Sequence, residues 1–149
     1  MTELHVLIAC AGGLVDPGMA MYNFLRGIAV PVSTHNYGSV DSIASVIYCA
    51  GSRRVASPHC KFLLHGITWN VNQPTAATEH HLREYLGQIE AMKRNIASVF
   101  AEAMGKPQAE VESDLTKSIT LTAEEAIAYG LVHELKRELL PAGADVTSL

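Results

Sequence analysis

Three short segments that read as strands constrain this chain most: the almost wholly apolar Leu4 to Cys10, Val30 to Tyr37 entered through Pro31, and Cys60 to His65. Runs of this length that do not alternate cleanly suit strands buried on both faces of a parallel sheet, and parallel neighbours require crossover connections. The intervening segments have the helical spacing such crossovers need. Asp16 before Pro17 reads as an N-cap followed by a first helical residue, with Met19, Tyr22, Phe24 and Leu25 supplying an apolar face up to Gly27. After a turn at Gly38, Ser42 opens a short helix that closes at Gly51. Arg53 to Pro58 reads as a loop with room for one short strand. The expected fold class is therefore α/β with a mostly parallel sheet. In such sheets sites lie at the carboxyl ends of strands, which brings the Gly12-Gly13 turn, Ser42 and His65 to one edge.

Beyond His65, Gly66 to Thr75 turns polar, with Asn70, Asn72, Gln73 and Pro74. Thr78 then opens the longest helix, to about Met104, with an apolar stripe of Leu82, Leu86, Ile89, Met92, Ile96, Val99 and Ala103. At 1.5 Å per residue it is about 40 Å long, more than a small domain buries, so projection and contact with another subunit is the expected outcome; packing along the core is the alternative. A helix over Pro107 to Lys117 and a short strand over Ser118 to Leu121 follow. Thr122-Ala123-Glu124-Glu125 is a capping box opening a helix that closes at Gly130, and Leu131 to Leu135 reads as a last strand. Residues 1–140 read as one domain and 141–149 as a disordered tail.

Of the 149 residues, 48% are hydrophobic and 17% charged, and the net charge of −4 is spread without a basic stripe, which argues against nucleic acid. No stretch suits a bilayer span. Cys10, Cys49 and Cys60 are an odd set without zinc spacing, which favours buried free thiols and a reducing, cytoplasmic setting. The histidines show no ligand spacing, so no metal site is expected, and no cofactor is called for.

Ser42, His65 and the glycine pair carry the candidate chemistry. A serine at a helix start suits attack on a carbonyl, and a histidine at a neighbouring strand end can take its proton. The amides of Gly13 and Ile43 can face the oxyanion that results. Each residue also has an ordinary reading: Ser42 as an N-cap, His65 bonded to a carbonyl, and the glycines as a turn.

Several segments resemble the proteolytic subunit of the Clp protease family. Gly12-Gly13-Leu14-Val15-Asp16-Pro17-Gly18-Met19-Ala20-Met21-Tyr22 resembles that family's glycine pair and following helix. Gly38-Ser39-Val40-Asp41-Ser42-Ile43-Ala44 is similar to its nucleophile segment, and Pro58 to His65 to the segment leading to its histidine. Leu121 to Ala126 with Tyr129-Gly130-Leu131-Val132 resembles the helix after its aspartate. The resemblance implies a Clp/crotonase-like ββα spiral with the long helix as a handle, and a serine peptidase with Ser42 as nucleophile and His65 as base. It implies Gly13 and Ile43 as oxyanion amides, a peptide or unfolded protein substrate, and a ring assembly through the handle and sheet faces. In the family's register the catalytic aspartate falls at Ser118; Asp114, one helical turn earlier, is the candidate third member. The chain opens at what is the family's second core strand, so docking of an unfoldase is not expected of it. Two other functions compete: a catalytically weak or inactive ring subunit, favoured by Ser118, and a crotonase-like acyl-CoA enzyme, which uses similar oxyanion amides without a Ser/His pair.

Overall fold

Each of the three segments forms a strand, and they gather around the second. A computed structural model describes residues 2–68 and 76–147. Its elements are β1 (Leu4–Cys10), α1 (Val15–Gly27), β2 (Val32–Asp41), α2 (Ile43–Tyr48), β3 (Arg53–Ala56) and β4 (Lys61–Leu64), then α3 (Glu79–Met104), α4 (Gln108–Lys117), β5 (Ile119–Thr122), α5 (Ala123–Tyr129) and β6 (Glu134–Leu135). The long β2 pairs with β1 along one edge; along its other edge it pairs first with β3, through residues 33–36, and then with β4, through residues 39–41. β6 adds to β3 in parallel, and among the described residues only β5, on β4, runs antiparallel. The result is the expected α/β architecture with a mostly parallel sheet.

The second strand does not stop at a turn near Gly38 but continues to Asp41. Gly38 lies where β2 passes from β3 to β4. Its amide donates to Asn36 Oδ1 at 2.9 Å, and a Cβ there would already touch that of Ala9. The first strand is not buried on both faces as its apolar composition suggests. Only Ile8 is buried, and Ala9 and Cys10 are exposed, because β1 has β2 as its one neighbouring strand among the described residues. The first helix starts earlier than Asp16-Pro17 implies: Leu14 holds the N-cap position without a side-chain cap, and Asp16 sits in the first turn, where its charge suits the helix dipole.

The helix ends follow local chemistry. Thr78 accepts the His81 amide and Gly105 closes α3 in the left-handed region; Thr122 and Glu125 form the reciprocal capping box, and Gly130 closes α5. From Glu79 to Asn95, α3 carries no buried residue, and Leu82 and Leu86 are each more than half exposed. Only from Ile96 does the helix enter the core, through Ile96, Ala97, Val99 and Phe100. The helix therefore projects. Asn70, Asn72, Gln73 and Pro74 of the expected polar loop, and Ser148 and Leu149 of the tail, lie outside the described residues; residues 141–147 hold a turn and neither helix nor strand.

Arg54 ties these pieces together. Its guanidinium is buried and donates from Nε to Leu131 O and from Nη2 to Ala103 O, both at 2.7 Å, with longer contacts to Gly130 O and Gly51 O. All four acceptors are main-chain carbonyls at or just beyond the carboxyl ends of α2, α3 and α5. Those are the negative ends of helix dipoles, so one cation satisfies three helix termini at once. Hydrogen bonds to a charged group contribute about 1.5–3 kcal/mol each. Arg54→Met is expected to lower stability by about 3 kcal/mol or more in urea unfolding; a loss below about 1 kcal/mol would contradict this role.

Cys49 and Cys60 are buried free thiols as expected, whereas Cys10 is exposed where β1 leaves the sheet. Burial pushes the Cys49 thiol up to about 12 against a smaller opposing effect of Arg54, and burial pushes Cys60 up to about 11. Both groups hold their protons more tightly folded than unfolded, so they contribute stability that falls away as pH rises above 9.0 toward those values. A disulfide reagent at about pH 8 is expected to titrate Cys10 alone in the native protein, and Cys49 and Cys60 only after denaturation.

Candidate active site

β2 ends at Asp41, β4 ends at Leu64, and α2 begins at Ile43, so Ser42 stands at a strand-to-helix corner beside the end of β4. Its backbone has φ 58° and ψ −132°, a conformation that side-chain-bearing residues rarely adopt and that costs about 1–3 kcal/mol. The corner is held by the Ser42 N–H, which donates to Leu63 O at 2.8 Å, and by Ser42 O, which accepts from Ser45 N at 3.0 Å. Although Ser42 occupies the N-cap position, its hydroxyl makes no capping bond to the helix. The preceding Asp41 carboxylate accepts from Ser39 Oγ at 2.8 Å.

The glycine pair lies against this corner. Gly12, at φ 97°, approaches so closely that a Cβ there would stand 2.7 Å from Ser42 Cβ and 2.9 Å from Asp41 O. Any side chain would displace the serine. Gly13, by contrast, faces open space. A cavity of about 130 Å³ opens between Gly13, Ser42, Ile43 and His65, and its inner wall is apolar, with Val46, Leu64, Ile96, Phe100 and Leu115. The sheet thus brings four of the expected residues, from three strand ends, to one cavity. Ile43 is the first residue of α2, so its N–H has no carbonyl one turn earlier to bond.

His65 follows directly on β4 and is half-buried. Its Nδ1 lies 2.6 Å from Gly66 O. Across from it, the β4–β5 ladder pairs Leu64 with Ile119, and continuing that register by one residue sets Ser118 opposite His65. Ser118 is exposed and has φ 59°. Among the described residues, Ser42 and Ser118 are the two non-glycine residues with positive φ, and they flank the histidine from either side. Asp114 accepts from the Tyr129 hydroxyl at 2.6 Å, and Lys117 Nζ lies 3.9 Å from its other oxygen. Burial, followed by that carboxylate, pushes the Tyr129 phenol up, so the phenol keeps its proton. No hydrogen bond or ion pair joins Asp114 to His65 among the described residues.

The strained backbone of Ser118 and the close approach of Gly12 were not foreseen from composition or spacing, whereas the bond of His65 to a carbonyl is the ordinary reading of that residue, with Gly66 as the partner. The register of β5 was the available signal for Ser118, since its β-branched segment leads straight into the capping box. Among the described residues, no helix is long and apolar enough to cross a membrane.

The chain is 31% identical over 134 residues to the ATP-dependent Clp protease proteolytic subunit 2 of Pseudomonas aeruginosa, an alignment covering 89% of this chain and 65% of that protein. It is 27% identical over 138 residues to subunit 2 of Chlamydia muridarum, covering 89% and 64%. To the proteolytic subunit of Pinus contorta it is 29% identical over 132 residues, covering 87% and 63%. The chain therefore spans slightly less than two thirds of the length of these relatives. The Clp protease family model matches residues 1–138, and the chain belongs to that family.

Proposed function

We propose that this chain is a Clp-type serine peptidase subunit in which Ser42 is the nucleophile, His65 the general base, and the amides of Gly13 and Ile43 the oxyanion donors. The observation that carries this reading is the strained strand-to-helix corner at Ser42, whose uncapped hydroxyl shares one cavity with His65 and Gly13. A strained conformation persists only where its surroundings enforce it, and such residues gather at sites of chemistry. Ser42 Oγ adds to the carbonyl carbon of the scissile peptide while His65 takes its proton. The negative oxygen of the tetrahedral intermediate turns toward the Gly13 and Ile43 amides. His65 then gives the proton to the departing amine, leaving an acyl ester on Ser42 that water hydrolyses by the same route. The apolar wall of Val46, Leu64, Ile96, Phe100 and Leu115 suits an apolar substrate side chain.

A second reading, a weakly active or inactive ring subunit, is favoured by one observation: no carboxylate is bonded to His65 among the described residues. A fluorophosphonate probe separates the two. Wild-type protein is expected to be labelled near neutral pH, and Ser42→Ala to lose labelling by at least about a hundredfold; labelling that persists in Ser42→Ala, or none in either protein, supports the second reading or sinks both.

The relatives are named as subunits, and the exposed Leu82 and Leu86 of α3 present one apolar stripe to a second copy. The double variant Leu82→Asp and Leu86→Asp is expected to shift the protein to a smaller species in light scattering with its helical circular dichroism kept, because neither side chain is in the core.

A further inference from the structure

We infer that a main-chain carbonyl, that of Gly66, rather than any carboxylate, orients His65. The inference rests on the reading of Ser42 and His65 as nucleophile and base. The contact is short, 2.6 Å from His65 Nδ1 to Gly66 O. A peptide oxygen only accepts, so the proton of the neutral imidazole resides on Nδ1 and the lone pair on Nε2. That is the tautomer a general base needs, with Nε2 as the nitrogen that takes the proton of Ser42, which lines the same cavity although no hydrogen bond joins the two among the described residues.

The two positions from which a carboxylate would come are accounted for. Ser118, opposite His65 in the continued register of β4 and β5, has no carboxylate. Asp114 is engaged elsewhere: one oxygen accepts from the Tyr129 hydroxyl at 2.6 Å and the other faces Lys117. Tyr129 is fixed in turn by α5 and by Lys106, whose Nζ lies 4.5 Å above its ring. Releasing Asp114 would leave a half-buried phenol without its acceptor.

A carbonyl fixes the tautomer and ring plane as a carboxylate does, but it offers the imidazolium a dipole instead of a full negative charge. The consequence is a correctly posed base with weaker stabilisation of the charged intermediate, hence slower acyl transfer than a complete triad gives. In triads with an aspartate, replacing it by the amide costs about 10⁴-fold in rate. In this protein the corresponding substitution of Asp114 is expected to cost nothing of that order.

Two measurements on the full chain test this. Long-range proton–nitrogen correlation spectra of ¹⁵N-labelled protein at about pH 8 report which ring nitrogen of His65 bears the proton. The expected result is the proton on Nδ1 in the wild type and equally in Asp114→Asn, where the amide oxygen still accepts from Tyr129. A proton on Nε2, or a change of tautomer in Asp114→Asn, overturns the inference. The rate of fluorophosphonate labelling is expected to change by less than about threefold in Asp114→Asn; a loss near the 10⁴-fold of a triad aspartate, at unchanged melting temperature, would overturn it too. A wild type that is never labelled but keeps its proton on Nδ1 supports the orientation by Gly66 while removing the nucleophile reading of Ser42.

Discussion

The hydrogen bond from the Ser42 amide to Leu63 O fixes the corner on which the rest of the site depends. It locks the residue after β2 to the last turn of register in β4, so that the chain must reverse into α2 with Ser42 in a rarely populated conformation. About 1–3 kcal/mol of local strain is held there by sheet pairing on one side and by the buried face of α2 on the other. Ile43, Ala44, Ser45, Val46 and Tyr48 are all buried, and Ser45 Oγ returns a hydrogen bond to Val40 O. Relaxing the serine would unseat that helix, which is why the strain persists.

Close approach of backbone segments completes the corner. Gly12 fits against Ser42 only because it lacks a side chain, and Gly18 in α1 lies against Ile43 for the same reason. These contacts place the loop of Gly13 beside the first amide of α2, while β4 delivers His65 to the same mouth. Arg54 gathers the carboxyl ends of α2, α3 and α5, and two of these helices, α2 and α3, wall the cavity. The one long element left uncovered is the outer part of α3, where the sequence keeps an apolar stripe that the single chain does not bury.

What was legible in the sequence was what local chemistry decides. The capping box at Thr122 and the Thr78 start and Gly105 stop of α3 needed only near neighbours to form. What was not legible depended on partners distant in sequence. The run from Gly38 to Asp41 becomes strand because β4 arrives to pair with it, and β1 is half exposed because the sheet gives it a single neighbour. Arg54, in a stretch that reads as loop, becomes a buried hub only when three helix ends converge on it. In the site, residue types and spacing pointed to Ser42, His65, Gly13 and Ile43, but the contact of His65 Nδ1 with Gly66 O depends on the path of the main chain after β4, which no side-chain pattern encodes.

The proposed acyl transfer rests on the family assignment and the corner at Ser42, and the proposed posing of His65 by the main chain rests on its contact with Gly66 O. The most direct measurement of that claim is a crystal structure of the chain with a peptide boronate bearing an apolar terminal side chain. The account predicts a covalent bond from boron to Ser42 Oγ, one boronate oxygen within hydrogen-bond reach of the Gly13 and Ile43 amides, and His65 Nε2 facing the new bond. A boronate bound at another residue, or a cavity that stays empty at saturating inhibitor with Ser42 unmodified, would contradict it.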